Sequence, residues 1–180
     1  VILLGEHSIL YGASAIALPI PSKRLSLEIF EKPQANKLLI TGTPLTAEEI
    51  DITNTKFSGL LEKEFPEFKD YSFHIHTDIP LGAGLGSSAA LCVALLRASL
   101  LKRKTTMSEK DFLNKVYQSE NYFHGKSSGL DPTTTSLEKV IYFKNIENFR
   151  VLKLPQFLEE YVFVVFDTNV RRSTLGSVSK

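Results

Sequence analysis

Residues 80–90 read PLGAGLGSSAA, and they constrain the chain more tightly than any other stretch. An extended segment enters over 71–79. Phe73, Ile75 and Thr77 fall on one face and Ser72, His74 and His76 on the other, the period-two pattern of a half-buried strand. An apolar helical run leaves over 89–101. Between them lie Gly82, Gly84 and Gly86, then Ser87 and Ser88. Glycine takes positive φ and lets a backbone approach closely. A helix N-terminus presents unpaired N–H groups and about half a positive charge. Strand, glycine loop and helix start make an anion cradle, most often for phosphate. A glycine-rich turn capped by Ser87 is the plainer reading. Three glycines and two serines within seven residues favour the phosphate loop.

The loop lacks the G-x-x-x-x-G-K-[ST] pattern of a Walker A motif. Its G-x-G-x-G spacing also departs from the dinucleotide fingerprint, and no acidic residue ends a strand about 20 residues on. Through Pro80, Gly82, Gly84, Leu85, Gly86, Ser87, Ser88, Ala89 and Ala90 it closely resembles the second signature of the GHMP kinases. That family includes galactokinase, homoserine kinase, mevalonate kinase and phosphomevalonate kinase. Its loop wraps the ATP phosphates. The resemblance therefore implies ATP contact by Gly82, Gly84, Leu85, Gly86, Ser87 and Ser88, and magnesium ligation by Ser88.

Composition excludes several other classes. Basic and acidic residues number 21 and 20, a net charge of +1, so nothing argues for nucleic acid. The apolar runs fall far short of the roughly 18 residues a membrane span needs, and no signal peptide is visible. The single cysteine, Cys92, lies in the apolar helix and reads as a small buried hydrophobe. These features suit a reducing cytoplasm. The 180 residues suffice for one good core and part of a second. The chain opens on Val1 directly into an apolar run, so a piece of a longer protein is expected.

In chain order, 1–4 reads as a short buried strand, broken by Gly5-Glu6-His7, with apolar character resuming over 13–18. A Glu-His pair there is open to two readings, a turn or a site. The stretch GEHSILYG over 5–12 resembles the first GHMP signature in its mevalonate kinase form. There it borders the substrate, which makes Glu6 and His7 candidate substrate-pocket residues. Residues 23–31 alternate as a strand, and 37–41 read as another. Phe57, Leu60, Leu61 and Phe65 fall at helical spacing over 54–65, ending before Pro66. His74 and His76 share one strand face; with no third ligand in view, a solvated face is preferred to a metal site.

Ser108 reads as an N-cap with Asp111 three residues on. The next helix carries an apolar stripe of Phe112, Leu113, Val116, Tyr117 and Phe123. Glu120 stands on that stripe, four residues after Val116. A carboxylate facing a core is costly unless paired or bound to a cation. A Glu at the stripe's edge with its head in water is the other reading, and both stand. The helix stops at His124-Gly125. Residues 124–135, HGKSSGLDPTTT, read as a tight polar turn offering a second carboxylate, Asp131. Two carboxylates can divide labour between metal and base. The stretch resembles the mevalonate kinase pattern His-Gly-x-Pro-Ser-Gly-(Val/Ile/Leu)-Asp. The resemblance implies that Asp131 is the catalytic base and that Glu120 binds magnesium. Ser127 stands where the pattern usually has proline, which loses some rigidity.

Residues 139–143 and 149–154 read as a strand pair, and 161–167, YVFVVFD, as a strongly apolar strand. The polar segment after it is similar to one near the substrate in mevalonate kinases. This makes Thr168 and Arg171 candidate substrate residues; Arg171 or Arg172 could reach an acid's carboxylate bidentately, although exposed arginines need no such role. The expectation is an α+β fold, a GHMP kinase N-terminal domain of mixed sheet and packed helices over 1–156. The start of a C-terminal α+β domain follows over 157–180. The implied reaction transfers the γ-phosphoryl of ATP to the primary hydroxyl of mevalonate, with Mg2+. Another GHMP acceptor (a sugar, homoserine or phosphomevalonate) or a non-catalytic ATP-binding domain are the alternatives. The Pro-Gly-Lys that normally precedes the first signature and the glycine-rich third signature are not in the sequence. The expected partner is a small-molecule substrate. The oligomeric state is not revealed, and a homodimer stays open.

Overall fold

The computed structural model describes residues 1–31, 38–156 and 160–167. Seven strands and four helices are defined among them. β1 (Ile2–Leu4), β2 (Ala15–Ala17), β6 (Ile141–Asn145) and β7 (Asn148–Val151) form an antiparallel sheet in the order β1-β2-β6-β7. A second sheet has the order β3-β5-β4, from β3 (Leu25–Phe30), β4 (Leu38–Thr41) and β5 (Ser72–Thr77). In it β5 runs antiparallel to β3 and parallel to β4. The helices are α1 (Ala47–Glu64), α2 (Ser87–Arg103), α3 (Glu109–His124) and α4 (Leu130–Leu137). This is the α+β arrangement of mixed sheet and packed helices that the sequence led us to expect.

The period-two pattern of β5 shows directly in its burial. Phe73, Ile75 and Thr77 are buried against the helices, while His76 is exposed and His74 half-buried. The parallel pairing of β4 with β5 requires a crossover, and α1 supplies it. α1 begins seven residues before the position its apolar spacing marks. A capping box sets that start: Thr46 Oγ1 accepts from the Glu49 N–H at 3.2 Å, and Glu49 Oε2 accepts from the Thr46 N–H at 2.8 Å.

Two cores result. The larger joins Phe57, Leu60, Leu61 and Phe65 to Phe73 and Ile75 of β5, to Leu91, Cys92, Leu95 and Leu96 of α2, and to Val116 of α3. The smaller joins Ile9, Ala15 and Ala17 to Leu130, Ile141 and Phe143. α2 packs against α3, α4 and β3. It therefore belongs to both layers, and its N-terminus lies at their seam.

Three expectations are corrected. β1 forms, but Leu3 and Leu4 are 40% and 66% exposed, so the strand is not buried; it is an edge with one neighbour. Residues 161–167 join neither sheet and are mostly exposed; the apolar run has β propensity but no partner strand among the described residues. The stretch over 124–135 is not all turn, because α4 starts at Leu130. Pro132 falls in its first turn, where its missing N–H costs nothing. Thr133 and Thr134 turn their hydroxyls back onto Gly129 O and Leu130 O, at 2.7 and 2.8 Å.

Gly42 closes β4 at φ +89, and a Cβ there would stand 2.5 Å from Thr77 O, at the end of β5 that feeds the glycine loop. Gly42→Ala should therefore cost more than about 1 kcal/mol, by strained φ and backbone clash. Thr46→Ala, which loses only the α1 cap, should cost about 1 kcal/mol. Urea unfolding of the two variants checks the order; equal or reversed losses would show that Gly42 is not a close-approach position.

Candidate active site

The glycine loop leaves β5 by a turn in which Thr77 Oγ1 accepts from the Ile79 N–H at 3.0 Å. Gly82, Gly84 and Gly86 all take positive φ, from 71° to 73°. A side chain at any of the three would strain the backbone. Gly86 is the N-cap of α2, and no side chain caps that end. The first-turn N–H groups of α2 have no carbonyl of their own helix to bond. The half-buried Ser87 and Ser88 open the helix.

Asp131 reaches the same place from the other layer. It lies in the first turn of α4, after Gly129 at φ +86. A Cβ built on Gly86 would be 3.8 Å from Asp131 Cγ and from Thr135 Oγ1, so the two helix starts are in contact there. Together they line a cleft of about 290 Å3 with Leu85, Lys23, Arg97 and Glu138.

Glu120 comes from below, on the core-facing stripe of α3. It is 1% exposed, which decides between its two readings: the carboxylate is inside. Ser127 Oγ donates to its Oε2 at 2.7 Å, and Ser88 Oγ donates to its Oε1 at 3.3 Å. Ser88 Oγ also lies 3.0 Å from His124 Nε2. Among the described residues no lysine or arginine forms an ion pair with Glu120.

Electrostatics follow from this burial. Desolvation, helped by the Asp131 charge, pushes Glu120 from 4.5 up to about 7, against the pull of Ser127 and Ser88. Desolvation raises Asp131 as well, and Glu6 adds to the rise. Burial lowers His124, with Lys56 contributing. Cys92 is buried, and desolvation followed by the Glu120 charge pushes its thiol well up, which fits an inert core residue.

A buried carboxylate without a cationic partner is a place for a cation. Ser88 Oγ and Glu120 Oε1 are two hard oxygen donors within hydrogen-bond distance, a set that suits a magnesium ion sharing its remaining sites with phosphate and water. The uncapped N–H groups at the start of α2, which Ser87 and Ser88 open, suit the phosphates.

The structure thus brings together Gly86, Ser87, Ser88, Glu120 and Asp131, with Leu85 on the cleft wall. Gly82 and Gly84 are exposed in the loop. Glu6 and His7 are exposed in the turn after β1, where Glu6 is near enough to act on Asp131 and His7 takes φ 60. Thr168 and Arg171 lie outside the described residues. His74 and His76 bond to Thr41 Oγ1 at 2.9 and 3.1 Å, and His74 to Glu28 at 3.1 Å. Among the described residues no group of three or more His, Cys, Asp or Glu side chains could hold a metal. Sequence reasoning passed over the polar contacts of His124 and Ser127. The four-residue step from Glu120 to His124, which stacks two polar heads on one helix face, was the available signal.

Residues 54–139 match the family model of the GHMP kinases N terminal domain. The chain is 27% identical over 177 residues to mevalonate kinase of Pyrococcus furiosus, covering 86% of this chain and 53% of that protein. It is 28% identical over 242 residues to mevalonate kinase of Arabidopsis thaliana, covering 99% of this chain and 63% of that protein. Its fold is similar to that of L. major mevalonate kinase solved in complex with R-mevalonate, with TM-score 0.64, 21% identity, 86% of this chain and 50% of that one. The chain thus spans between half and two thirds of the length of these relatives. Among the described residues no helix is long and apolar enough to cross a membrane.

The raised Glu120 pKa has a signed consequence. The unfolded chain loses this proton near pH 4.5 and the folded one near 7, so folding holds the proton between those values. The contribution of Glu120 to stability should fall as pH rises through that window and level off above it. Glu120→Gln keeps a neutral side chain at every pH. Without divalent cation, the Tm of Glu120→Gln relative to wild type should rise between pH 4.5 and 8. A difference independent of pH would mean that Glu120 is ionised throughout.

Proposed function

We propose that the chain is a member of the GHMP kinase superfamily, the ATP-binding part of a phosphotransferase that phosphorylates the primary hydroxyl of mevalonate; the family-model match over 54–139 and the mevalonate kinase relatives support this reading. The observation that carries the reading is the meeting of three parts at one seam: the uncapped start of α2, the buried Ser88–Glu120 pair and Asp131 beside Gly86. Residues 1–156 would form the ATP-binding domain and 157–180 the beginning of a second domain.

In this reading the N–H groups of Gly84, Leu85, Gly86 and Ser87 hold the ATP phosphates, with Gly82 letting the loop approach them. Ser88 and Glu120 hold the Mg2+, which neutralises phosphate charge when bound. Asp131 accepts or orients the acceptor hydroxyl proton. The bond from the γ-phosphorus to the β-phosphate oxygen breaks, a new bond to the acceptor oxygen forms, and ADP leaves. Such a transfer needs positioning and charge stabilisation more than covalent chemistry. Glu6, His7 and Thr168 border the acceptor, and Arg171 or Arg172 is the proposed contact to its carboxylate. A small polar acceptor and free nucleotide fit a cytoplasmic enzyme. The mevalonate assignment draws on GEHSILYG and HGKSSGLD and on the names of the relatives.

The test is an acceptor screen of the full-length protein with ATP and Mg2+, following ADP release. Mevalonate should turn over faster than galactose, homoserine and phosphomevalonate. Turnover of a sugar but not mevalonate would overturn the acceptor and keep the kinase; ATP binding without any turnover would favour a non-catalytic domain. Asp131→Asn should lower kcat by about 100-fold or more, with the Mg2+ requirement unchanged. Glu120→Gln should raise that requirement as well as lower the rate. Equal responses of the two variants to excess Mg2+ would refute this division of roles.

A further inference from the structure

We propose that His124 is a positioning residue that accepts the hydrogen bond donated by the Ser88 hydroxyl, so that the Ser88 oxygen turns its lone pairs to the cation. The inference deepens the magnesium reading of Ser88 and Glu120 and rests on it.

Glu120 and His124 stand four residues apart on α3, one above the other on a single face. Both reach the same hydroxyl: Ser88 Oγ lies 3.3 Å from Glu120 Oε1 and 3.0 Å from His124 Nε2. A hydroxyl has one proton and two lone pairs. A cation held between Ser88 Oγ and Glu120 Oε1 excludes the hydrogen bond between them, because the donated proton would lie where the cation sits. The proton needs a second acceptor. Ser127 occupies Glu120 Oε2, which leaves Oε1 as the carboxylate oxygen facing Ser88. The acceptor at the shorter distance is His124 Nε2, in the tautomer that carries its own proton on Nδ1. An imidazole suits the task because it accepts the bond without bringing another negative charge beside Glu120 and Asp131. Gly125 follows at φ 70 and ends the helix immediately after His124, so the ring is presented from the last turn of α3.

The test uses the full-length protein with ADP and Mn2+ as the probe, with free Mn2+ counted by electron paramagnetic resonance and the Tm of every variant recorded. His124→Leu should weaken Mn2+ binding by about 10- to 100-fold, the loss usual when the partner of a metal ligand is removed. His124→Gln, whose amide oxygen can accept from Ser88, should restore most of it. In a Ser88→Ala background His124→Leu should cause no further loss, since its effect passes through that hydroxyl. Undiminished Mn2+ affinity in His124→Leu overturns the proposal, as does an equal loss with and without Ser88. If His124→Leu does not fold, His124→Gln is compared with His124→Asn, whose shorter amide cannot reach Ser88; equal affinities overturn it. If Ser88→Ala itself leaves Mn2+ affinity intact, the magnesium reading fails and this inference with it.

Discussion

The fold depends on the enclosure of α2. Ala89, Leu91, Cys92, Val93, Leu95, Leu96 and Ser99 are all buried, so this helix has apolar contacts around most of its girth rather than along one stripe. Such a helix is stable only with partners on several sides. α3 and β3 cover it from one layer and α4 from the other. Burying the barrel of the helix fixes where its open end must be. That end is the one place where the glycine loop, the last turn of α3 and the first turn of α4 can converge, so the site follows from the packing.

The same enclosure makes Glu120 expensive. A leucine at this point in the stripe would stabilise the core, whereas a carboxylate gives up its hydration for two serine hydroxyls and holds a proton to about pH 7. Asp131 compounds the cost by adding a second negative charge nearby. Nothing in the packing of α2 on α3 needs this pair. Their placement makes sense for a charge that arrives from outside the chain, which would lower both pKa values and turn a liability into a binding site.

Much of this was legible in the sequence, and the failures share a cause. The strand–loop–helix of β5 and α2 was readable because period, glycine and serine signals agree locally, as was the Ser108 cap of α3, where Ser108 Oγ accepts from the Asp111 N–H. The start of α1 was missed because its first two turns, Ala47 to about Asn54, carry few apolar residues and are held by a cap instead of a core. α4 was missed because Asp-Pro-Thr-Thr-Thr has turn composition; its helix is held by Leu130 in the small core and by threonines bonding back to carbonyls. Residues 161–167 went wrong in the opposite direction. Their β propensity is real, but a strand is made by its neighbour, and local preference cannot supply one. At the site, the residue types were readable from the chain, whereas the contacts of His124 and Ser127 with Ser88 and Glu120 depend on where α2 and α3 cross.

Ser127 shows how a departure from a sequence pattern can be absorbed. Proline would stiffen this turn through its ring and would have no N–H to give. Serine does it with hydrogen bonds. Its N–H donates to Asn121 Oδ1 at 2.7 Å, its hydroxyl donates to Glu120 Oε2 at 2.7 Å, and the same oxygen accepts from the Gly129 N–H at 3.1 Å. The turn is thereby tied at both ends, to the last turn of α3 and to the cap of α4. One of the three bonds also lands on the buried carboxylate, where it favours the charged form and partly offsets desolvation. The substitution exchanges a covalent restraint for a polar one that doubles as solvation for Glu120. It holds Asp131 and Glu120 in register because both ends of the turn are anchored to the helices that carry them.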